Sequence, residues 1–432
     1  MRGSLHRAAL VLLVAAGASR AAAEAPTPVD LDLPPDFDQE SEDRSDVWEK
    51  ALEPSKQKYE DLVARAVEQI KQMDKASRDL AAGYLRDAVK LAPDRPLAHL
   101  WLGRVEGQSG NYAACAQEIA RALDADPTFV APPATWSEVG DAEWGGRYEL
   151  ALCRAQAGDY EGAVDGLRRI LAAGTASDGE RAAFVHWHLG ESYMALGRLG
   201  EAVASLQLAY RLQPYNASVS FALAVAYDRD EDPTSARDAM SRALEREPRV
   251  SSSSLLASSR IWIPSDDQHY YLGLAYLSSG EAPRALYHLR RYIAATGEGM
   301  WTARARGHLE IAQAGAVAGK DLSIRGSGTI DDGKAAAAIG KLDGELQTCV
   351  AKTPDLLLSV ALTRVVPGAD QKGETPHAAG VRVLVLEQNN LKSDVLKAAT
   401  ACTESAASKI ALPKPTGPAG AYVTATFSLI AR

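Results

Sequence analysis

The sequence predicts an α-helical solenoid followed by a small α+β domain. Three observations predict this. A helix-pair pattern recurs at a fixed spacing through the middle of the chain. After residue 319 it gives way to short apolar segments separated by turn residues. The composition is rich in Ala, with only five Phe and five Met in 432 residues, which suits small-faced helices that pack closely.

The repeat is visible when "FVHWHLGESYMALGRLGEAVASLQLAYRLQPYNA" (184–217) is set against "SVSFALAVAYDRDEDPTSARDAMSRALEREPRV" (218–250). Leu189-Gly190 aligns with Leu223-Ala224, Tyr193 with Tyr227, Ala202 with Ala236, Ala209 with Ala243 and Pro214 with Pro248, an offset of 223 − 189 = 34. The same frame fits three further stretches, through Gly103, Cys115, Ala122 and Pro127, through Ala151, Gly158 and Ala163, and through Gly273, Tyr276, Gly280 and Ala285. A weaker copy starts near Leu62 and ends at Pro93. The pattern resembles the tetratricopeptide repeat over residues 62–299, in six copies, which implies a TPR superhelix. A small residue at the crossing lets two helices approach, and Pro after the second helix has no N–H to continue it. Each pair is too small to bury its own apolar face, so neighbours stack.

The resemblance puts the first helix of each repeat on the concave face. The residue three before each crossing position is then Leu100, Tyr148, Trp187, Phe221 or Tyr270. Read functionally, this stripe is a groove for a peptide, because aromatic side chains give large contact area at low entropy cost. The alternative is that the five pack against neighbouring helices. The Lys/Asn pattern with which some such repeats clamp a C-terminal carboxylate is missing. Two insertions, 130–143 and 250–265, read as edge loops whose Trp136, Ile261 and Trp262 either dock on a partner or fold back on the solenoid.

Residues 320–432 read as the tail domain. "KDLSIRGSGTI" is a linker with a short strand, "DDGKAAAAIGKLDGELQTCVAKTP" a helix, 356–366 and 379–388 strands, "SDVLKAATACTESAASKI" a helix and "AYVTATFSLIAR" a last strand. The matching residues Gly326, Gly328, Cys349, Lys352, Pro354, Leu391, Cys402, Pro413 and Pro415 make 325–431 resemble the C-terminal domain of myxobacterial adventurous gliding motility proteins, which is similar in plan to TonB C-terminal domains. Val350 departs from the usual Tyr, and the loop "PGADQKGETPHAAG" is longer than the family's connection.

The first residues bound the compartment. Arg2 and Arg7, the apolar run Ala8–Ala16 and Ala21-Ala22-Ala23 read as a signal peptide (1–23) cleaved before Glu24. The alternative is an uncleaved anchor. Residues 24–46 are acidic and Pro-rich and are expected to be disordered. Residues 47–61 read as a helical lead-in, and 62–319 as the solenoid with its closing helix. Formal charge is −9, and removing Arg2, Arg7 and Arg20 makes it −12. An acidic chain without a basic stripe argues against nucleic acid, and no later segment approaches an integral membrane span.

Four cysteines fall into two pairs. Cys349 and Cys402 lie on tail helices expected to cover one face of one sheet, so in an oxidising compartment they should form a disulfide. The alternative is two buried thiols. Cys115 and Cys153 are expected to stay unpaired, because an insertion separates their repeats and a free Cys is a good small core residue.

Motifs for chemistry fail one by one. Asp228, Asp230 and Asp232 have calcium-loop spacing, but Pro233 and Ala239 stand where Gly and Glu are required. His186 reads as a packing position and His188 as partly exposed, with no further zinc ligands at suitable spacing. No nucleophile elbow, phosphate loop or cofactor motif occurs, and no small-molecule substrate is evident. The sequence therefore reads as a non-enzymatic scaffold of the bacterial cell envelope whose partners are other envelope proteins, the groove holding one and the tail domain another. The alternatives are a periplasmic assembly factor for outer-membrane or secretion machinery, or an accessory subunit of an envelope enzyme.

Overall fold

From Pro54 to Thr296 the helices follow one another as hairpins, in a computed structural model that describes residues 54–72, 74–129, 142–174, 179–247, 267–366 and 380–432. The pairs are α1 (Pro54–Ile70) with α2 (Lys75–Leu91), α3 (Pro96–Gln108) with α4 (Tyr112–Ala125), α5 (Ala142–Gln156) with α6 (Tyr160–Ala172), α7 (Gly179–Ala195) with α8 (Leu199–Leu212), α9 (Ala217–Arg229) with α10 (Pro233–Arg246), and α11 (Asp267–Ser278) with α12 (Ala282–Thr296). A single helix, α13 (Thr302–Gly315), closes the series. Local chemistry starts these helices where they start. Asp74, Asp159, Asn216 and Asp232 cap them by accepting backbone N–H groups, and Pro96, Pro233 and Pro283 sit in first turns, where no N–H is missed.

The hairpins depend on two positions seven residues apart. At the crossing, a Cβ on Gly103 would come within 2.6 Å of Ile119 Cγ1, and one on Gly273 within 2.7 Å of Leu289 Cγ, so only glycine admits this approach. Seven residues later the chain turns with positive φ, at Gly110 (81°), Gly158 (86°), Gly197 (71°) and Gly280 (79°). The α9–α10 turn puts Glu231 there instead, at φ 60°, a conformation that costs an L residue about 1–2 kcal/mol.

The tail domain follows within the same compact unit, Lys58–Arg432. Its elements are β1 (Ser323–Gly326), α14 (Asp332–Gly340), α15 (Asp343–Val350), β2 (Leu356–Val365), β3 (Gly380–Gln388), α16 (Ser393–Ala407) and β4 (Tyr422–Leu429). The strands form one antiparallel sheet in the order β1-β4-β2-β3. Leu358, Val360, Leu362, Ala425 and Phe427 point to the face that the three helices cover. Gly326, at φ 150°, lies so close to the Tyr422 carbonyl that no Cβ fits. The first tail helix, expected to be continuous, breaks after Gly340. Asp343, opening the second piece, accepts the Ala318 N–H at 3.0 Å and ties the break to the end of the solenoid.

The other sheet face is partly dry. Leu357 and Ile430 are buried in the solenoid's main apolar cluster, and Leu386 packs against it. Arg290 of α12 donates to the carbonyls of Ala431 (2.6 Å) and Pro354 (3.2 Å), and Asp321 accepts the Ser428 N–H at 2.9 Å. The tail is therefore packed on the last repeat.

Candidate functional site

The residues expected to line a groove are inside the protein. Leu100, Tyr148, Trp187, Phe221 and Tyr270 are each at most 4% exposed. The groove assignment is corrected accordingly: these side chains fill the space between stacked helices and offer a partner no surface. Trp136, Ile261 and Trp262 lie outside the described residues.

What surrounds the buried stripe is a seam of charged groups on first helices, most of them paired between repeats and Glu191 within its own helix, which sequence reasoning missed. Arg104 on α3 makes a bidentate pair with Glu149 on α5, both contacts 2.8 Å, and stacks on Trp101. Glu191 on α7 is buried and accepts from Trp187 Nε1 at 2.8 Å, with His188 Nδ1 at 3.0 Å. His188, expected to be partly exposed, is buried because it is stacked on Trp187 and faces Glu191. Arg229 on α9 lies 3.2 Å from Asp267 of α11, between the rings of Tyr270 and Trp301.

Asp228 is the centre of the seam's last part. It accepts from Tyr270 Oη (2.6 Å) and Arg304 (2.9 Å), and His308 Nε2 lies 3.0 Å away, so three elements meet on one carboxylate. Burial would raise its pKa, but the bonds from His308 and Arg304, with that from Tyr270, outweigh it and hold the group at about 2. Two of the aspartates at calcium-loop spacing are thus used apart: Asp228 points inward, and Asp232 caps the next helix through Ser235 N. Between α11 and α12, away from their turn, His269 and His288 lie Nδ1 to Nδ1 at 2.9 Å. Burial, then the neighbouring His269, holds His288 at a pKa of about 3.

Both carboxylate oxygens of Asp228 are engaged, Oδ1 by Arg304 and His308 and Oδ2 by Tyr270. Among the described residues no three His, Cys, Asp or Glu side chains form a metal-binding group. A cleft of about 490 Å³ between α4, α5 and α6 has Arg147, Arg154 and Arg169 on its walls. These arginines serve the walls themselves: Arg169 pairs with Asp165 at 2.7 Å, Arg147 donates to the Pro127 carbonyl at 2.9 Å and Arg154 to that of Gly162 at 3.4 Å.

Two disulfides are present. Cys349 on α15 and Cys402 on α16 are bonded with Cα atoms 5.5 Å apart, as the sequence led one to expect. Cys115 and Cys153 are bonded too, with Cα atoms 5.8 Å apart, which corrects the expectation of free thiols. The insertion between their repeats leaves α4 and α5 packed side by side, so the two Cys meet across the repeat junction.

Comparison with known proteins agrees with the helix-pair architecture. The profile of the tetratricopeptide repeat family matches residues 72–128, 148–217 and 188–251, so the chain carries tetratricopeptide repeats. Among solved structures, MamA (residues 41 to the end) from Desulfovibrio magneticus RS-1 is 18% identical with a TM-score of 0.37, covering 44% of this chain and 96% of that one. MamA MSR-1 is 21% identical with a TM-score of 0.35, covering 45% and 97%. YrrB, described as a TPR protein with an unusual peptide-binding site, is 15% identical with a TM-score of 0.30, covering 52% and 97%. No curated protein matches the sequence.

Proposed function

We propose that this protein is a non-catalytic scaffold of the bacterial cell envelope, in which solenoid and tail act together to hold envelope proteins in a complex. Tetratricopeptide repeats are protein-binding units, and repeat stacking gives extended surfaces for that purpose. The observation that carries the envelope reading is the pair of disulfides, one in each domain, because such bonds persist in oxidising compartments. Among the described residues no helix is long and apolar enough to cross a membrane, and the leader at 1–23 reads as an export signal. The resemblance of 325–431 to gliding-motility C-terminal domains supports a tail that docks a second partner. The test is affinity capture from envelope fractions with the full chain as bait. The expected result is a defined set of envelope proteins at fixed ratio. Capture of none, or catalytic turnover by the isolated chain, would overturn the reading.

A further inference from the structure

Among the described residues, α12 packs on one face of the tail sheet at one end, around Leu357, Leu386 and Ile430. Elsewhere on that face the described side chains are exposed or half-buried, and its register can be read rung by rung. Arg325 of β1 stands opposite Thr424, which stands opposite Thr363 and then Gly380 at the β3 edge. On the adjacent rung Ser323 stands opposite Thr426, then Ala361, then Arg382. Two arginines thus occupy opposite edges of the sheet, with small and hydroxyl side chains between them.

Three properties separate this face from an ordinary solvated one. The first is its charge. The four strands contain a single acidic residue, Glu387, at the end that α12 covers, although the chain's formal charge is −9. The second is that Arg325 and Arg382, both exposed, have no hydrogen-bond, ion-pair or ring partner among the described residues. The cleft arginines described above, by contrast, are engaged by their own walls. The third is apolar area: Leu384 (45% exposed) and Tyr422 (50% exposed) lie on the same face.

We propose that this face binds an extended acidic segment of a partner protein, laid across the strands, with one carboxylate on Arg325 and another on Arg382. The proposal rests on the scaffold reading above and assigns the tail's docking surface. Three strand spacings of about 4.8 Å and one step between rungs separate the two arginines by about 15 Å. An extended chain covers most of that distance in four residues at roughly 3.3 Å each, and residues i and i+4 share one side of it, so the segment carries its carboxylates four residues apart. Arginine presents a planar fork matched to a carboxylate, and an apolar residue of the segment covers Leu384 or Tyr422. The charged part of the contact weakens as salt screens it.

The test uses the full chain and fluorescein-labelled twelve-residue Ser/Gly peptides read by anisotropy. One carries a Leu and two Asp with three residues between them, one has the two Asp adjacent, and one has Lys for Asp. The expected result is binding of the spaced peptide roughly tenfold or more tighter than of the other two, since tenfold is a modest step in affinity. The Arg325→Glu/Arg382→Glu chain should lose that preference while keeping its thermal midpoint, both side chains being exposed. Equal binding of all three peptides, no binding of any, or unchanged binding by the double variant would each overturn the assignment. Envelope capture with the same variant separates the two levels. A partner set lost with the variant supports the face. A set retained by it overturns the face and leaves the scaffold reading standing, and an empty capture with the natural chain overturns the scaffold reading and the face with it.

Discussion

Asp228→Asn tests whether the buried seam holds the end of the solenoid together. The substitution keeps the side chain's size and one acceptor oxygen but removes the charge that Arg304 and His308 face. The carboxylate side chain is 7% exposed, so solvent screens little of the effect. Its pKa is about 2 against an ordinary 3.8, and at 1.36 kcal/mol for each pH unit of that gap the charged form is worth roughly 2–2.5 kcal/mol. That lies below the roughly 3–5 kcal/mol for breaking a buried ion pair outright, as expected where an acceptor remains. The sign follows from the direction of the shift. A depressed pKa in the folded state gives stability that is fully present above pH 3.8 and is lost as pH falls towards 2. The variant should therefore trail the natural chain by about 2 kcal/mol at pH 7, and by roughly half as much near pH 3. A stacked repeat array need not unfold in one step, so the assay is native-state hydrogen exchange of Thr302–Gly315 with urea unfolding alongside. An equal deficit at pH 7 and pH 3, or none at pH 7, would refute the assignment of Asp228 as the ionic anchor of α13.

Other consequences can be checked in the same preparations. Glu231→Gly should raise the urea midpoint, with a gain of up to about 1 kcal/mol, because the left-handed turn no longer strains an L residue. Trp187→Ala should cost about 3–5 kcal/mol of stability; a folded variant with unchanged stability would mean the side chain is not in the core. Peptide mapping without reductant should recover two bridged pairs, Cys115 with Cys153 and Cys349 with Cys402. Replacing both members of either pair with Ala should lower stability by up to about 4 kcal/mol, the chain-entropy figure for loops of 38 and 53 residues; recovery of free thiols after trapping would defeat the pairing.

What the sequence revealed and what it hid follow from the range of the interactions. The crossing glycine and the turn residue seven places later are requirements within one hairpin, so Gly103 with Gly110 and Gly273 with Gly280 repeat them openly. Even the exception is local, since Glu231 takes the φ that the other copies give to glycine. The tail strands were legible for the same reason, as alternation reports a face that is buried locally. The seam's links between repeats were not, because they span 45 residues from Arg104 to Glu149 and 76 from Asp228 to Arg304, and nothing at either end announces the other. Asp228 was read with Asp230 and Asp232 because spacing was the only clue available. The first disulfide is hidden for a related reason: an insertion reads as distance along the chain, whereas the entropy of closing a loop grows only slowly with its length. A repeat helix can present a given face to a partner or to its neighbours, but not to both. Here the first-helix aromatics and the charges beside them are committed to one another, with Trp187 bonded to Glu191 and Tyr270 to Asp228. Recognition by the solenoid would then need faces other than this stripe, and among the described residues the unpaired cations of Arg325 and Arg382 lie on the tail sheet, which packs on the last repeat.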